Sequence, residues 1–183
     1  VVLALAGILG WQWWQQRQAG SAEQASVLYD GVLAALAKKD AEQVRTRAQA
    51  LVTARPDSAY AALAALAMAR SAFDGGDLPA ALASLDWVVQ HAPAPELVEI
   101  AQLRAARLLI GEKRYDEAAQ RLDKVNGAGQ VPEREELRGD LAWARGDHRT
   151  ARSAWQAALA ATGPEGSALI QLKLDNLPAE EPK

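Results

Sequence analysis

The stretch GDLPAALASLDWVVQHAP, from Gly76 to Pro93, determines how this chain of 183 residues folds. Its apolar side chains recur three and four positions apart, which is the spacing of one face of an α-helix. Pro79 lies in the first turn, where its missing N–H leaves no hydrogen bond unmade, and Pro93 ends the helix. The stretch therefore predicts one amphipathic helix with defined ends.

Three further stretches follow the same pattern, so this helix is part of a repeat. They are KDAEQVRTRAQALVTARP from Lys39, KRYDEAAQRLDKV from Lys113 and GDHRTARSAWQAALAATG from Gly146. The four starts, at residues 39, 76, 113 and 146, lie 37, 37 and 33 residues apart. A period of this size is typical of a helical solenoid.

Within each copy a small residue is followed four positions later by a bulky one. The pairs are Ala81 with Leu85, Ala118 with Leu122 and Ala151 with Trp155, while Val44 with Ala48 is a degenerate first copy. The helices that precede the last three copies also carry a small residue, which is Ala69, Ala106 or Gly139. Together with the closing prolines Pro56 and Pro93, this pattern resembles the tetratricopeptide repeat.

The resemblance implies an all-α fold, a tetratricopeptide-like right-handed superhelix of about four helix pairs with a C-terminal capping helix. We place the pairs at 22–37/41–54, 58–73/77–91, 95–110/115–125 and 133–145/147–161, and the capping helix at 167–177. The repeat domain then covers residues 19–177, and residues 178–183 form a flexible tail. The alternative is a set of four irregular helical hairpins without a true repeat.

Composition and motifs give no indication of an enzyme. The chain has no cysteine and a net charge of −3, which excludes thiol chemistry and does not favour nucleic acid as a partner. Its two histidines, His91 and His148, have no partner at metal-ligand spacing, and no serine has a nearby base. We interpret His148 as a packing residue and His91 as a helix-end residue that suits the helix dipole. The sequence thus predicts no catalytic, cofactor-binding or metal site.

The chain opens VVLALAGILGWQWWQQRQ, and we interpret residues 1–18 as the last part of a single transmembrane anchor. About ten apolar residues precede the tryptophans, half of the roughly twenty that span a bilayer, and the missing initiator methionine indicates that upstream residues were removed. Trp11, Trp13, Trp14 and Arg17 would then lie at the membrane interface, where amphipathic rings are favoured. The alternative, a signal-peptide remnant, fits poorly because the exit of such a peptide is built of small residues.

The first helix of each tetratricopeptide pair lines a concave groove. The residues that this register directs towards the groove are Tyr29, Leu33, Leu63, Leu66, Arg70, Phe73, Leu103, Arg104, Arg107 and Trp143, with acidic Glu136 and Asp140 in the fourth pair. Exposed aromatic and arginine side chains suit contacts with extended partner segments, so we expect Phe73, Arg104 and Arg107 to contribute to binding. The alternative is that the leucines belong to the core and the arginines to a solvated edge.

The whole chain is similar to the YfgM family of Gram-negative bacteria. The resemblance is carried by GWQWWQQRQAGSAEQASVLYD near the start, LRGDLAWARGDHRTARSAWQAAL in the fourth repeat and the closing LKLDNL. It implies a non-enzymatic ancillary subunit of the SecYEG translocon, held in the lipid bilayer of the bacterial inner membrane by one helix, with its repeat domain in the periplasm. The implied partners are the translocon, a membrane-anchored parvulin-like periplasmic chaperone and exported polypeptide segments, and no cofactor is implied.

Two other functions stay open on the residues alone. The same fold suits a scaffold that assembles an envelope complex, and it also suits a cytosol-facing regulatory adaptor. A segment rich in lysine and arginine upstream of residue 1 would argue against the cytosol-facing adaptor, because such a flank stays in the cytoplasm.

Overall fold

A computed structural model describes residues 23–162 and 168–178 of the chain. Residues 23–37 form helix α1. The helices that follow are α2 (Ala41–Ala54), α3 (Ala59–Asp74), α4 (Leu78–His91), α5 (Pro95–Gly111), α6 (Tyr115–Leu122), α7 (Val131–Ala144), α8 (His148–Thr162) and α9 (Ala168–Asp175), with a short 3-10 turn at Ala128–Gln130. These ranges contain no β-strand, and the predicted all-α repeat fold is confirmed.

The capping helix α9 ends at Asp175 rather than at residue 177, and two other predicted helix ends differ from the structure for local reasons. Helix α6 ends at Leu122 rather than at residue 125, shortly before Gly127 and Gly129, which are poor helix formers. Val125 is nevertheless buried, so the chain leaves the helix without exposing this side chain. Helix α7 begins at Val131 rather than at residue 133, because a proline in the first turn is compatible with helix geometry.

The turn inside each helix pair is the same structural motif in all four copies. Its central residue has a positive φ angle, which is 56° at Lys39, 79° at Gly76, 60° at Lys113 and 80° at Gly146. In the second pair the Gly76 N–H donates to the Phe73 carbonyl and the Asp77 N–H donates to the Ala72 carbonyl, both at 2.9 Å. The other three turns repeat these two bonds, which define a Schellman motif. The four repeat starts identified in the sequence are therefore the four left-handed turn residues.

The residue after each turn starts the second helix of the pair. Asp40, Asp77 and Asp147 each accept a hydrogen bond at 3.0 Å from the backbone N–H three residues later, which caps the helix N-terminus. The Thr150 hydroxyl and then the Thr150 N–H hold the pKa of Asp147 below its usual value. Arg114 occupies this position in the third pair and provides no side-chain cap. In the second and fourth pairs a Gly-Asp dipeptide thus ends one helix and begins the next.

We expect Lys113→Gly to stabilise the chain by about 0.5 kcal/mol. A side chain in the left-handed region costs about 1–2 kcal/mol, whereas glycine adopts it freely but loses about 0.5–1 kcal/mol of backbone entropy on folding. Urea unfolding of the full chain measures the difference. The control is Glu112→Gly at the neighbouring position, which lacks a positive φ and should lose stability. Equal losses in both variants would contradict the assignment of strain to Lys113.

The first compact unit extends to Ala94 and is built around α3, which packs against α2 and α4. Six alanines of α3 are buried, namely Ala61, Ala62, Ala64, Ala65, Ala67 and Ala69. The larger core side chains come from the neighbouring helices, and Leu51, Leu85 and Val88 are almost completely buried. Small residues on the central helix let the three backbones approach closely, so the alanine bias of the sequence has a direct structural role.

The second compact unit starts at Pro95, and its most extensive helix packing is between α7 and α8. Gly139 on α7 faces the indole of Trp155 on α8, and a Cβ atom at Gly139 would overlap that ring. Trp155 is only 3% exposed and belongs to a core cluster with Ala151, Ile170 and Leu177. The small and bulky residues predicted for close packing are buried in all four copies: Val44 with Ala48, Ala81 with Leu85, Ala118 with Leu122, and Ala151 with Trp155.

Candidate partner-binding surface

The predicted membrane-interface residues lie outside the described part of the chain. Trp11, Trp13, Trp14 and Arg17 all precede residue 23, where the description begins. Among the helices from α1 to α9, none combines the length and the hydropathy that a bilayer-spanning helix requires. The anchor assigned to residues 1–18 therefore stays a prediction.

The predicted groove residues occupy a few equivalent positions of the repeat. With periods of 37 and 33 residues, each position of α3 recurs in α5 and again in α7. Three of these sets matter for the site: Leu66, Leu103 and Glu136; Arg70, Arg107 and Asp140; and Phe73, Ile110 and Trp143. The fourth pair thus replaces a leucine and an arginine by two acidic residues, beside a tryptophan.

Two of the predicted groove leucines belong to the core. Leu66 is 5% exposed and Leu103 is completely buried. Both occupy the same repeat position, so the register that directed them towards a groove places them inside their own units instead. This agrees with the alternative interpretation of the leucines as core residues, and both are removed from the candidate surface.

The remaining groove residues of the first unit form a mixed aromatic and charged surface. Phe73 is 51% exposed at the end of α3, and Leu33 is 42% exposed on α1. Arg70 binds Asp74 of the same helix at 2.7 Å and remains accessible. Tyr29 is half-buried, with its ring 5.9 Å from that of Tyr60, and Leu63 is also half-buried.

In the second unit the predicted residues differ in their availability. Arg104 and Arg107 are both exposed, but the Arg107 guanidinium also forms an ion pair at 2.9 Å with the Glu133 carboxylate of α7. Trp143 is 42% exposed and is the most accessible large aromatic residue of this unit. Its indole stacks on the His148 ring at a centroid distance of 4.8 Å and lies 6.2 Å from the Trp155 ring.

Both histidines stack on a tryptophan. His148, interpreted from the sequence as a packing residue, is exposed and stacks on the ring of Trp143. The His91 ring lies parallel to the Trp87 ring at 4.6 Å, and its Nδ1 is 2.9 Å from the Trp87 carbonyl oxygen. Since a carbonyl oxygen only accepts, His91 Nδ1 carries the proton, and the ring is fixed at the end of α4.

Trp143 and Trp155 line a cavity of about 440 Å³ in the second unit. Its wall is completed by residues from α5, α7 and α9 and from the turn after α9: Ile110, Asp140, Ala144, Lys173 and Asn176. The cavity is therefore formed where the capping helix meets the first helices of the last two pairs. Ile110 and Trp143, which line it together, are equivalent positions of the repeat.

A cluster of charged side chains forms one side of this cavity. Lys173 Nζ donates to Glu136 Oε1 at 2.7 Å and to both carboxylate oxygens of Asp140, at 2.7 and 2.9 Å. Trp155 Nε1 donates to Asp140 Oδ1 at 3.0 Å and to the Glu136 carbonyl at 3.2 Å. All three charged side chains are less than one-third exposed, so this cluster connects α7, α8 and α9 at a partly desolvated position.

Sequence reasoning did not identify Lys173 as part of this site. It stands between Leu172 and Leu174 in α9, while Ile170 and Leu177, three residues before and four after, are buried. A lysine on the buried face of a helix, combined with Glu136 where the repeat otherwise has leucine, is the local indication of the cluster. The partners are 33 and 37 residues apart, and helix periodicity does not pair such distant positions.

Comparison with known proteins places these features in a family. The sequence model of the family described as "tetratricopeptide repeat-like domain" matches residues 1–179 of this chain. Over 178 residues the chain is 30% identical to an Escherichia coli (strain K12) protein named ancillary SecYEG translocon subunit, covering 97% of this chain and 85% of that protein. A Haemophilus influenzae protein of the same name is 28% identical over 176 residues, covering 96% of this chain and 86% of that protein.

A Neisseria gonorrhoeae protein that carries this name as well is 30% identical over 180 residues, covering 97% of this chain and 86% of that protein. No solved structure gives a significant match. The resemblance predicted from the sequence to a family of translocon subunits is confirmed by these relatives.

Proposed function

We propose a function for this chain from the fact that it belongs to the tetratricopeptide repeat-like domain family. The chain is a non-enzymatic adaptor that acts as an ancillary subunit of the SecYEG translocon. It is tethered to the bacterial inner membrane by residues 1–18, with its repeat domain in the periplasm. The observation that carries the proposal is the 30% identity, across 97% of the chain, to a protein named ancillary SecYEG translocon subunit.

The adaptor docks its partners through exposed side chains of the first helices. Phe73 and Trp143 occupy equivalent repeat positions near the ends of α3 and α7, and both are about half exposed. Large aromatic and arginine side chains dominate binding energy at protein interfaces, so these two residues and Arg104 are the best-suited contacts. The partners we propose are a parvulin-like periplasmic chaperone and exported polypeptide segments that leave the translocon.

Weak contacts are sufficient for such an adaptor. A membrane tether converts each encounter into a local one, and the effective concentration near the translocon rises to the millimolar range for short tethers. The exposed surface therefore does not need the extended apolar area of a permanent interface. This fits two units that each expose arginine and aromatic side chains, Arg70 and Phe73 in the first and Arg104 and Trp143 in the second.

We expect photo-crosslinking in membranes that contain the full-length protein to identify these partners. A photoreactive amino acid replaces Phe73 or Arg104 in one set of variants and Gln120, an exposed residue of the second helix α6, in the control. The first set should give adducts with translocon subunits, a periplasmic chaperone or exported chains, and the control should give fewer. Products are identified by mass spectrometry.

Two outcomes would contradict the proposal in different ways. Adducts formed only with cytosolic proteins would mean that the repeat domain lies on the other side of the membrane. Adducts formed from Gln120 but not from Phe73 or Arg104 would mean that the partners bind the second helices, and the docking surface proposed here would be wrong.

A further inference from the structure

We propose that the cavity between α5, α7, α8 and α9 binds one arginine side chain of a polypeptide partner. The inference rests on the proposed function as an adaptor for polypeptides and names the residue that this part of its surface selects. It is argued from the shape of the cavity, its aromatic walls and the charge of the cluster beside it.

The size and lining of the cavity suit a single long side chain. A volume of about 440 Å³ lies near the lower end of small-ligand pockets, which span roughly 300–1,000 Å³. Ile110 and Ala144 offer apolar contacts for an aliphatic stem, and the indoles of Trp143 and Trp155 also line the cavity. Trp143 is 42% exposed, so a side chain can enter past it from the solvent.

The charge of the cluster favours a cation. Glu136 and Asp140 carry two negative charges and Lys173 carries one positive charge, so one negative charge is left without a counterion inside the cluster. Asp140 Oδ1 accepts from both Lys173 and Trp155, whereas Oδ2 accepts only from Lys173 among the residues that the structure describes. Because a carboxylate oxygen accepts two hydrogen bonds, Oδ2 can take a further donor.

Within its own chain the protein already holds a cation between an indole ring and two carboxylates. The Lys173 ammonium lies 5.8 Å from the centroid of the Trp155 ring while it contacts both carboxylates. A cation at this distance from an indole is attracted by the negative face of the ring. Trp143 presents a second indole that no cation covers in the described residues, because its contacts are the rings of His148 and Trp155.

Arginine fits this arrangement better than a compact ammonium group. Its planar guanidinium stacks on indole rings, donates several hydrogen bonds and is weakly hydrated, so it tolerates a partly desolvated cavity. The site is specific to the fourth helix pair. Arg70 and Arg107 occupy the position of Asp140 in the second and third pairs, and there they would repel the same ligand.

The test uses the full-length protein in detergent micelles and two short peptides. The probe is N-acetyl-Gly-Arg-Gly-amide, and the reference peptide has citrulline, which is isosteric but uncharged, in place of arginine. The indole N–H signals of Trp143 and Trp155 are followed by NMR during titration. The arginine peptide should shift both signals saturably, and the citrulline peptide should bind at least ~tenfold more weakly.

Two substitutions separate this cavity from other tryptophan sites. Trp143→Ala removes one wall but not the core residue Trp155, whose signal should no longer respond. Trp87→Ala removes an indole that also stacks on a histidine, but in the first unit, and should leave the titration unchanged. The comparison of the two peptides on the unsubstituted protein requires no substitution and stays decisive if Trp143→Ala fails to fold.

Three results would overturn the inference: equal binding of both peptides, an unchanged titration in folded Trp143→Ala, or no shift at the highest soluble peptide concentration. The proposed adaptor function is tested separately. If the predicted crosslinks form but the arginine peptide does not bind, only the cavity proposal is contradicted. If the arginine peptide binds but no translocon or chaperone crosslinks form, only the adaptor function is contradicted.

Discussion

Gly139→Ala should lower the free energy of unfolding by about 3 kcal/mol, although alanine is normally the better helix former. The added methyl group would overlap Cδ1 and Nε1 of the buried Trp155 ring. Overpacking of a core costs about 1–3 kcal/mol, and displacement of the ring also breaks its two Nε1 hydrogen bonds at about 1 kcal/mol each. The gain in helix propensity, about 1 kcal/mol, offsets only part of this. Urea unfolding followed by tryptophan fluorescence measures the loss.

The control for Gly139→Ala is Gly111→Ala, at a helical glycine where no side chain or other helix lies within 4 Å of the added Cβ. It should be neutral or slightly stabilising. A rescue is available within the chain, because the positions of Gly139 and Trp155 carry Ala106 and Leu122 in the third pair. The double variant Gly139→Ala/Trp155→Leu should therefore recover part of the lost stability, and a loss that is simply additive would contradict the direct clash.

Lys173→Ala should cost about 2–4 kcal/mol, and it should release α9 from α7. The substitution leaves the Glu136 and Asp140 carboxylates adjacent and partly buried without a counterion, which is far more costly than the removal of an exposed charge. Hydrogen exchange of the backbone amides of α9 is the direct measurement, and these amides should exchange much faster than those of α5. Lys124→Ala removes an exposed lysine and should change stability by no more than about 0.5 kcal/mol.

A second variant distinguishes the unpaired charges from the loss of a packed side chain. Glu136→Leu restores the residue type that Leu66 and Leu103 have at this repeat position. Combined with Lys173→Leu and Asp140→Asn, it replaces the ion cluster by mainly apolar contacts, and such replacements are often neutral. If the triple variant has a free energy of unfolding as low as that of Lys173→Ala, the loss of stability does not come from the unpaired carboxylates.

The helix pairs and their turns could be predicted from the sequence because each depends on nearby residues. Gly76 with Asp77, for example, supplies both the left-handed turn and the following cap within two positions. Exposure along the first helices could not be predicted in the same way. A helix with several packing neighbours buries more than one stripe, so a single register assigned the buried Leu66 and the exposed Phe73 to the same surface.

The cavity could not be predicted because the residues that line it are far apart in the sequence. The sequence predicts Trp143 as a surface residue, but it indicates Trp155, which forms the second wall, only as the bulky residue of its repeat. Lys173 completes the site from a helix outside the repeat pattern, through contacts across 33 and 37 residues. No local rule joins these positions, since the pairing arises only when α9 packs on α8.

The alanine-rich α3 has a consequence for mutational scanning and for sequence drift. Six of its seven buried residues are already alanine, so an alanine scan can truncate only Leu66 among them and would underestimate what the buried face contributes. The informative scan is the opposite one, in which each site is enlarged to valine or leucine, because every added carbon must push a neighbouring backbone away. We therefore expect such a helix to accept exchanges among the smallest residues and to reject larger ones, because they would change its spacing from α2 and α4.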